Sequence, residues 1–211
     1  MALRSIIRMK TVNVLIMAFA LAGTLSCLSC SYSIKFTERY YEQYDSTLQA
    51  IRTRYERLNQ IQPFSLDLPN KELSRIGLEI NTDTMRFVYN FQLSDRSFPD
   101  TLNKYGLDLL EVSYLIRDMQ TVQATWISKL DYYVQREKRY LIFLSVRHQS
   151  LKKLLQPERY FTLAFFDRPQ LFDKKGRLLD RDDLKTHRRI NGEIFRRLTD
   201  QVFFAVLDKY K

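Results

Sequence analysis

Cys27 and Cys30, two histidines and a cluster of aspartates are the residues of this chain whose types could do covalent or metal chemistry. The cysteines are spaced C-x-x-C, but a redox or metal pair of that kind belongs at the start of a helix in a folded domain. Here it closes an apolar stretch and reads poorly as a thiol site. His148 and His187 have no partner at the spacing that metal ligands take on a helix or strand. Asp180, Asp182 and Asp183 lack the alternating loop and closing glutamate of a calcium hand, so capping of a following helix is the better reading. There is no G-x-S-x-G elbow, no glycine-rich phosphate loop and no H-E-x-x-H, so hydrolase, nucleotide-binding and zincin readings have no motif behind them. Paired carboxylates of the glycosidase kind stay open, because the fold sets their separation. No cofactor, metal site or catalytic residue is assigned.

One surface constellation does emerge near the C-terminus. With Leu184 to Tyr210 drawn as a helix, Lys185, Arg188, Arg189 and Arg196 share about a quarter of the circumference, and Ile190, Ile194, Leu198 and Val202 lie opposite. The expectation is a basic face for anionic lipid or an acidic partner. The plain alternative is a docked helix with a solvated charged side.

The elements before these residues say where the protein works. Between Lys10 and Lys35 no residue is charged, Arg4, Arg8 and Lys10 precede that gap, and Val12 to Ala22 is apolar. Positive, apolar and small-residue regions in this order are export machinery rather than fold. Ser26 precedes Cys27 and Ser29 precedes Cys30, and the segment resembles a bacterial lipoprotein signal peptide, whose cysteine is lipidated and becomes the new N-terminus. The resemblance covers the first 30 residues. It implies a signal at 1–29, lipidation at Cys30 or else Cys27, and a mature domain at 30–211. Polar Ser31, Tyr32 and Ser33 favour Cys30, while Leu28 follows Cys27. The family prefers Leu three places before the cysteine, where this chain has Thr24 or Cys27. An uncleaved anchor and an ordinary cleaved signal are the other readings, and Met9-Lys10 looks like a more usual start than Met1.

Without its first 29 residues the chain keeps 182 of 211 residues, enough for one domain with a substantial core. Loss of Arg4, Arg8 and Lys10 takes the formal charge from +10 to +7. An exported basic domain meets lipid head groups, glycans or acidic protein surfaces before nucleic acid, and no nucleic-acid motif accompanies the charge.

Apolar positions from Phe36 to Ile61 recur every three or four residues, predicting a long helix stopped by Pro63, with Arg52, Arg54 and Arg57 as solvated surface. Leu73 to Leu93 alternates about a turn at Asn81-Thr82-Asp83-Thr84 and predicts a hairpin with one wet face. A second helical tract is expected from Pro99 to Lys138, either continuous or broken near Gly106 or Thr121, with Arg136, Lys138 and Arg139 at its C-terminus. Tyr140 to Val146 and Tyr160 to Phe166 are apolar at successive positions, as in strands covered on both sides. Leu171 to Leu179 predicts a small hairpin turning at Gly176, and the last helix follows.

The resulting expectation is an α+β fold: a mainly antiparallel sheet of four to five strands with three long helices packed on it. Functionally, the chain reads as a membrane-tethered lipoprotein of the bacterial cell envelope, facing the periplasm, whose non-enzymatic domain binds or scaffolds another envelope component. The partner would be an envelope protein or an anionic lipid or glycan. An envelope hydrolase acting on glycan or lipid through an unrecognised acid pair, and a small-ligand carrier, are the alternatives.

Overall fold

The structure, a computed structural model, describes residues 35–147 and 160–207. The leader with Cys27 and Cys30, and His148, lie outside the described residues. The chain divides into two units, the first ending at Tyr40 and the second beginning at Tyr41. In the first, residues 35–40 are helical and the Phe36 and Tyr40 rings stack with centroids 6.4 Å apart. In the second, helix α1 (residues 41–61) leads into β1 (Phe64–Asp67), β2 (Arg75–Asn81) and β3 (Arg86–Gln92). Two short helices follow, α2 (Ser97–Lys104) and α3 (Leu109–Thr121). The long strands β4 (Ala124–Val134), β5 (Glu137–Arg147) and β6 (Tyr160–Phe166) come next. Three two-residue strands, β7 (Arg189–Ile190), β8 (Glu193–Ile194) and β9 (Arg196–Arg197), precede β10 (Val202–Leu207).

Eight strands form one antiparallel sheet in the order β3-β2-β1-β4-β5-β6-β10-β9, and β7 and β8 form a separate ribbon. The described residues are about 40% strand and 30% helix, so the expectation of four to five strands under three long helices is wrong. Two misassigned segments account for most of the difference, and β1 was not anticipated at all. The tract expected to be helical from Pro99 to Lys138 is helical only to Thr121; Trp126, Leu130 and Tyr133 belong to β4, and Arg136, Lys138 and Arg139 lie at the turn and start of β5. The expected last helix does not exist, and its residues up to Leu207 form loops, β7, β8, β9 and β10.

Period-two burial divides the sheet into two different faces. One carries Phe64, Leu66, Leu78, Ile80, Ile127, Ile142, Leu144, Leu163 and Phe165, all nearly inaccessible. The three helices cover this face: Tyr55 of α1 tilts against Phe64 at 5.1 Å, and Phe98 of α2 against Phe91 at 5.2 Å. The Tyr55 hydroxyl donates to the Phe64 carbonyl, which also accepts from the Asn59 amide at 3.1 Å. Arg54 of α1 pairs with Glu111 at 3.3 Å and with Asp118 of α3, and Arg57 pairs with Glu111. Two of the arginines read as solvated therefore tie helix to helix, while Arg52 donates to the Phe166 carbonyl at 3.1 Å.

On the opposite face, Leu141, Phe143, Ala164, Phe166, Phe203 and Ala205 form a second core with Leu178, Ile190 and Phe195. These last three come from the segment between β6 and β10, which folds back over the sheet as a flap. That third layer is why β5 and β6 lack polar alternation, and β6 is buried at every position. The predicted hairpin at Leu171 to Leu179 is the start of the flap: Phe172 bridges Leu178, and Gly176 turns at φ +71°.

Candidate ligand-binding site

The flap holds several of the residues singled out for chemistry, and most of them build turns. Asp173 accepts the backbone N–H groups of Lys175 and Arg177 at 2.9 Å, the Arg177 guanidinium at 2.7 and 2.8 Å, and meets His187 Nε2 at 3.1 Å. The Arg177 N–H, with the His187 ring, the Arg177 side chain and the Lys175 N–H, holds the Asp173 carboxyl well below the usual carboxylate range. Asp180 accepts the Asp182 N–H at 2.9 Å; Asp183 accepts the Lys185 N–H at 3.0 Å and the Thr186 hydroxyl at 2.6 Å. These aspartates close loops instead of capping a helix. No group of three or more metal-ligating side chains occurs among the described residues.

The four cations expected on one helical stripe lie on no helix. Lys185 is exposed in a turn, Arg189 on β7 donates to the Gly192 carbonyl at 2.9 Å, and Arg196 sits on β9. Arg188 is half-buried, its guanidinium 4.8 Å from the centre of the Tyr132 ring and 5.8 Å from that of Phe166. The stripe was an artefact of the assumed helix. What the structure brings together instead is one arginine with two aromatic rings of the second core.

Three concavities stand out among the described residues. A shallow groove of about 720 Å³ runs between Tyr41, Asp45, Gln49 and Arg52 of α1 and the turn from Arg197 to Val202. A dent of about 200 Å³ lies beside Tyr132, Arg181 and Arg188. The third, of about 390 Å³, opens between the loop after β3, the start of α2 and one face of α3. It has the features of a binding cleft, an apolar interior with a few polar groups at its mouth.

Its geometry follows from local sequence. Asp108 caps α3 by accepting the Glu111 N–H at 2.8 Å. From that start, Leu109, Ser113, Ile116, Arg117 and Gln120 recur at helical spacing and fall on one side. Asp95 accepts the Gln92 N–H at 2.7 Å, and this turn sets Leu93 and Arg96 on the facing wall. Phe98 and Ile116 make a buried floor, Leu93 and Leu109 are exposed lips, and Arg96 and Arg117 are exposed cations at the mouth. The Arg117 guanidinium is steadied 4.8 Å from the centre of the Tyr114 ring. The cleft can accept an apolar group carried beside negative charge. Sequence reasoning placed a break of the helical tract near Gly106 but could not tell that a cleft opens there; Gly106, at φ +69° and followed by Leu107-Asp108, is where α2 stops and a new cap begins.

The described carboxylates whose acidity departs clearly from the ordinary value, Asp131, Asp173 and Asp183, are all shifted downward. That is the direction opposite to the one a carboxyl group needs to act as a general acid near neutral pH. No described helix is long and apolar enough to cross a membrane. No protein-family model, no curated protein and no solved structure matches the chain.

Proposed function

We propose that this chain is an envelope lipoprotein, carried across the membrane by its leader and lipidated at Cys30 or Cys27, whose domain binds another envelope component. The binding occurs in the cleft between α2 and α3. The observation that supports this reading is the combination of exposed Leu93 and Leu109 with Arg96 and Arg117 around an apolar floor. An acidic segment of an envelope protein presenting a leucine or phenylalanine fits it: the apolar side chain enters, and the acid meets the guanidinium groups.

A photo-reactive side chain at Leu109 tests this in intact cells. It should capture one protein partner, and Arg96→Glu with Arg117→Glu should abolish the capture. A probe at Leu184, exposed on the flap, should not capture it. Equal capture from both positions, or capture indifferent to the charge reversal, overturns the cleft. The tether is tested separately, since Cys27→Ser with Cys30→Ser should release the protein from the membrane fraction.

A further inference from the structure

The two edges of the sheet are treated differently. At one end, β9 is two residues long, and the flap closes over it through an Arg177–Arg196 bridge and an Arg197 N–H bond to the Gly176 carbonyl at 2.7 Å. At the other end, β3 is seven residues long and, among the described residues, pairs only with β2. Hydrogen bonds from the Leu93 N–H to the Ser74 carbonyl and from the Thr82 N–H to the Met85 carbonyl fix the parity of the β2–β3 ladder. Phe87, Tyr89 and Phe91 therefore direct their backbone groups toward β2, and Arg86, Val88 and Asn90 direct theirs away from the sheet. Native sheets usually blunt such an edge with proline, a bulge, a lysine or a covering segment. Here there is no proline or bulge in β3, and Val88 at its centre is 63% exposed.

We propose that β3 pairs with β3 of a second copy of this chain, antiparallel about a two-fold axis at Val88. This register is self-complementary, as a two-fold interface requires. Val88 meets Val88 of the other copy on the axis, and Arg86 faces Asn90 of the other copy on each side, so no like charges are opposed. The Arg86 charge is already balanced by Glu79 across the β2–β3 pair at 2.5 Å. Every outward N–H and carbonyl of the three residues then finds a partner. Beyond them the free ladder ends, because the Gln92 N–H is taken by Asp95. With the β9 edge closed, the pairing stops at two copies and cannot propagate into a fibre. Anchoring in a membrane would favour it further by raising the local concentration.

The full-length chain, extracted in detergent, should have twice the protomer mass by light scattering. Val88→Pro removes the central outward N–H, a change an edge strand tolerates, and Val88→Lys sets two ammonium groups against each other on the axis. Both variants should halve the mass and keep the circular dichroism spectrum of the parent. In membranes, Val88→Cys should form an oxidised dimer, since paired antiparallel Cα atoms lie about 5.5 Å apart and a disulfide spans that distance. The parent chain and Leu184→Cys should not. A monomeric parent at tens of micromolar, or a Val88→Lys protein that remains dimeric, overturns the proposal.

Discussion

Asp67 and Gly77 face each other across the β1–β2 pair, and the Asp67 carboxylate lies where a side chain at position 77 would stand. A Cβ on Gly77 would be 1.8 Å from Asp67 Oδ1 and 2.8 Å from its Cγ. In an ordinary strand, replacing glycine by alanine gains roughly 0.5–1 kcal/mol, because glycine loses the most backbone freedom on folding. Here the sign should reverse. Gly77→Ala should lower stability by about 1–2 kcal/mol, the usual penalty of an overfilled site. Asp67→Ala in the same chain should recover most of that loss, and urea unfolding of the four proteins of this cycle measures the coupling. A stabilising Gly77→Ala would mean that Asp67 moves aside freely.

Gly77 sits in the part of the chain where sequence and structure agree. The period-two pattern around Asn81-Thr82-Asp83-Thr84 predicts the hairpin that β2 and β3 form, and the three-to-four spacing from Phe36 to Ile61 predicts α1. The failures have specific physical sources. Ile190, Ile194, Leu198 and Val202 are four apart by coincidence: Ile190 and Ile194 lie on the arms of a ribbon, and Val202 begins a core strand. Asn191-Gly192 between those arms, at φ +51° and +83°, is the strongest short hairpin signal a sequence can carry, and it should have outweighed the periodicity. The β4–β5 turn gave no such warning, since Gln135 and Arg136 both take positive φ without glycine or asparagine. The cleft between α2 and α3 was hidden for a different reason: Gly106 marks the break between the helices, but the approach of Leu93 and Arg96 to one side of α3 is a tertiary contact that apolar periodicity does not register.

The doubly covered strands carry a direct consequence for stability. Phe143 packs with Trp126 at 6.1 Å and Phe195 at 6.3 Å under the flap, while Phe165 is buried on the helix face. Phe143→Ala and Phe165→Ala should each cost about 3–5 kcal/mol, as truncation of a phenylalanine in a close-packed core does. A loss below about 1 kcal/mol at Phe143 would remove the flap from that face of the sheet.

Asp173 makes the flap sensitive to acid. Its carboxyl is held below its ordinary value by the Arg177 N–H first, then by its other donors, so its contribution to stability is complete above the ordinary carboxylate pKa of about 4 and declines as pH falls below it. Asp173→Asn removes that contribution. The difference in melting temperature between parent and variant should therefore be largest near neutral pH and narrow on acidification toward about pH 2. A difference that stays constant or widens in acid would show that the carboxylate is not stabilised by these donors.

Arg188 distinguishes the flap from the helix once expected in its place. On a helical stripe, Arg188, Arg189 and Arg196 would be equivalent solvated charges, and replacing any of them by glutamine would change stability by no more than about 0.5 kcal/mol. In the flap, Arg189→Gln and Arg196→Gln should behave that way, while Arg188→Gln removes a cation from the faces of Tyr132 and Phe166 and should cost about 0.5–2 kcal/mol. A second readout does not depend on stability. Burial raises the Tyr132 pKa, and the nearby Arg188 charge acts in the opposite direction, so Arg188→Gln should move the Tyr132 titration further upward while Arg189→Gln leaves it in place. Difference spectra of tyrosine ionisation in the parent, Arg188→Gln and Tyr132→Phe proteins isolate that one phenol. A Tyr132 titration that does not move upward when Arg188 is replaced would show that the guanidinium does not rest on this ring.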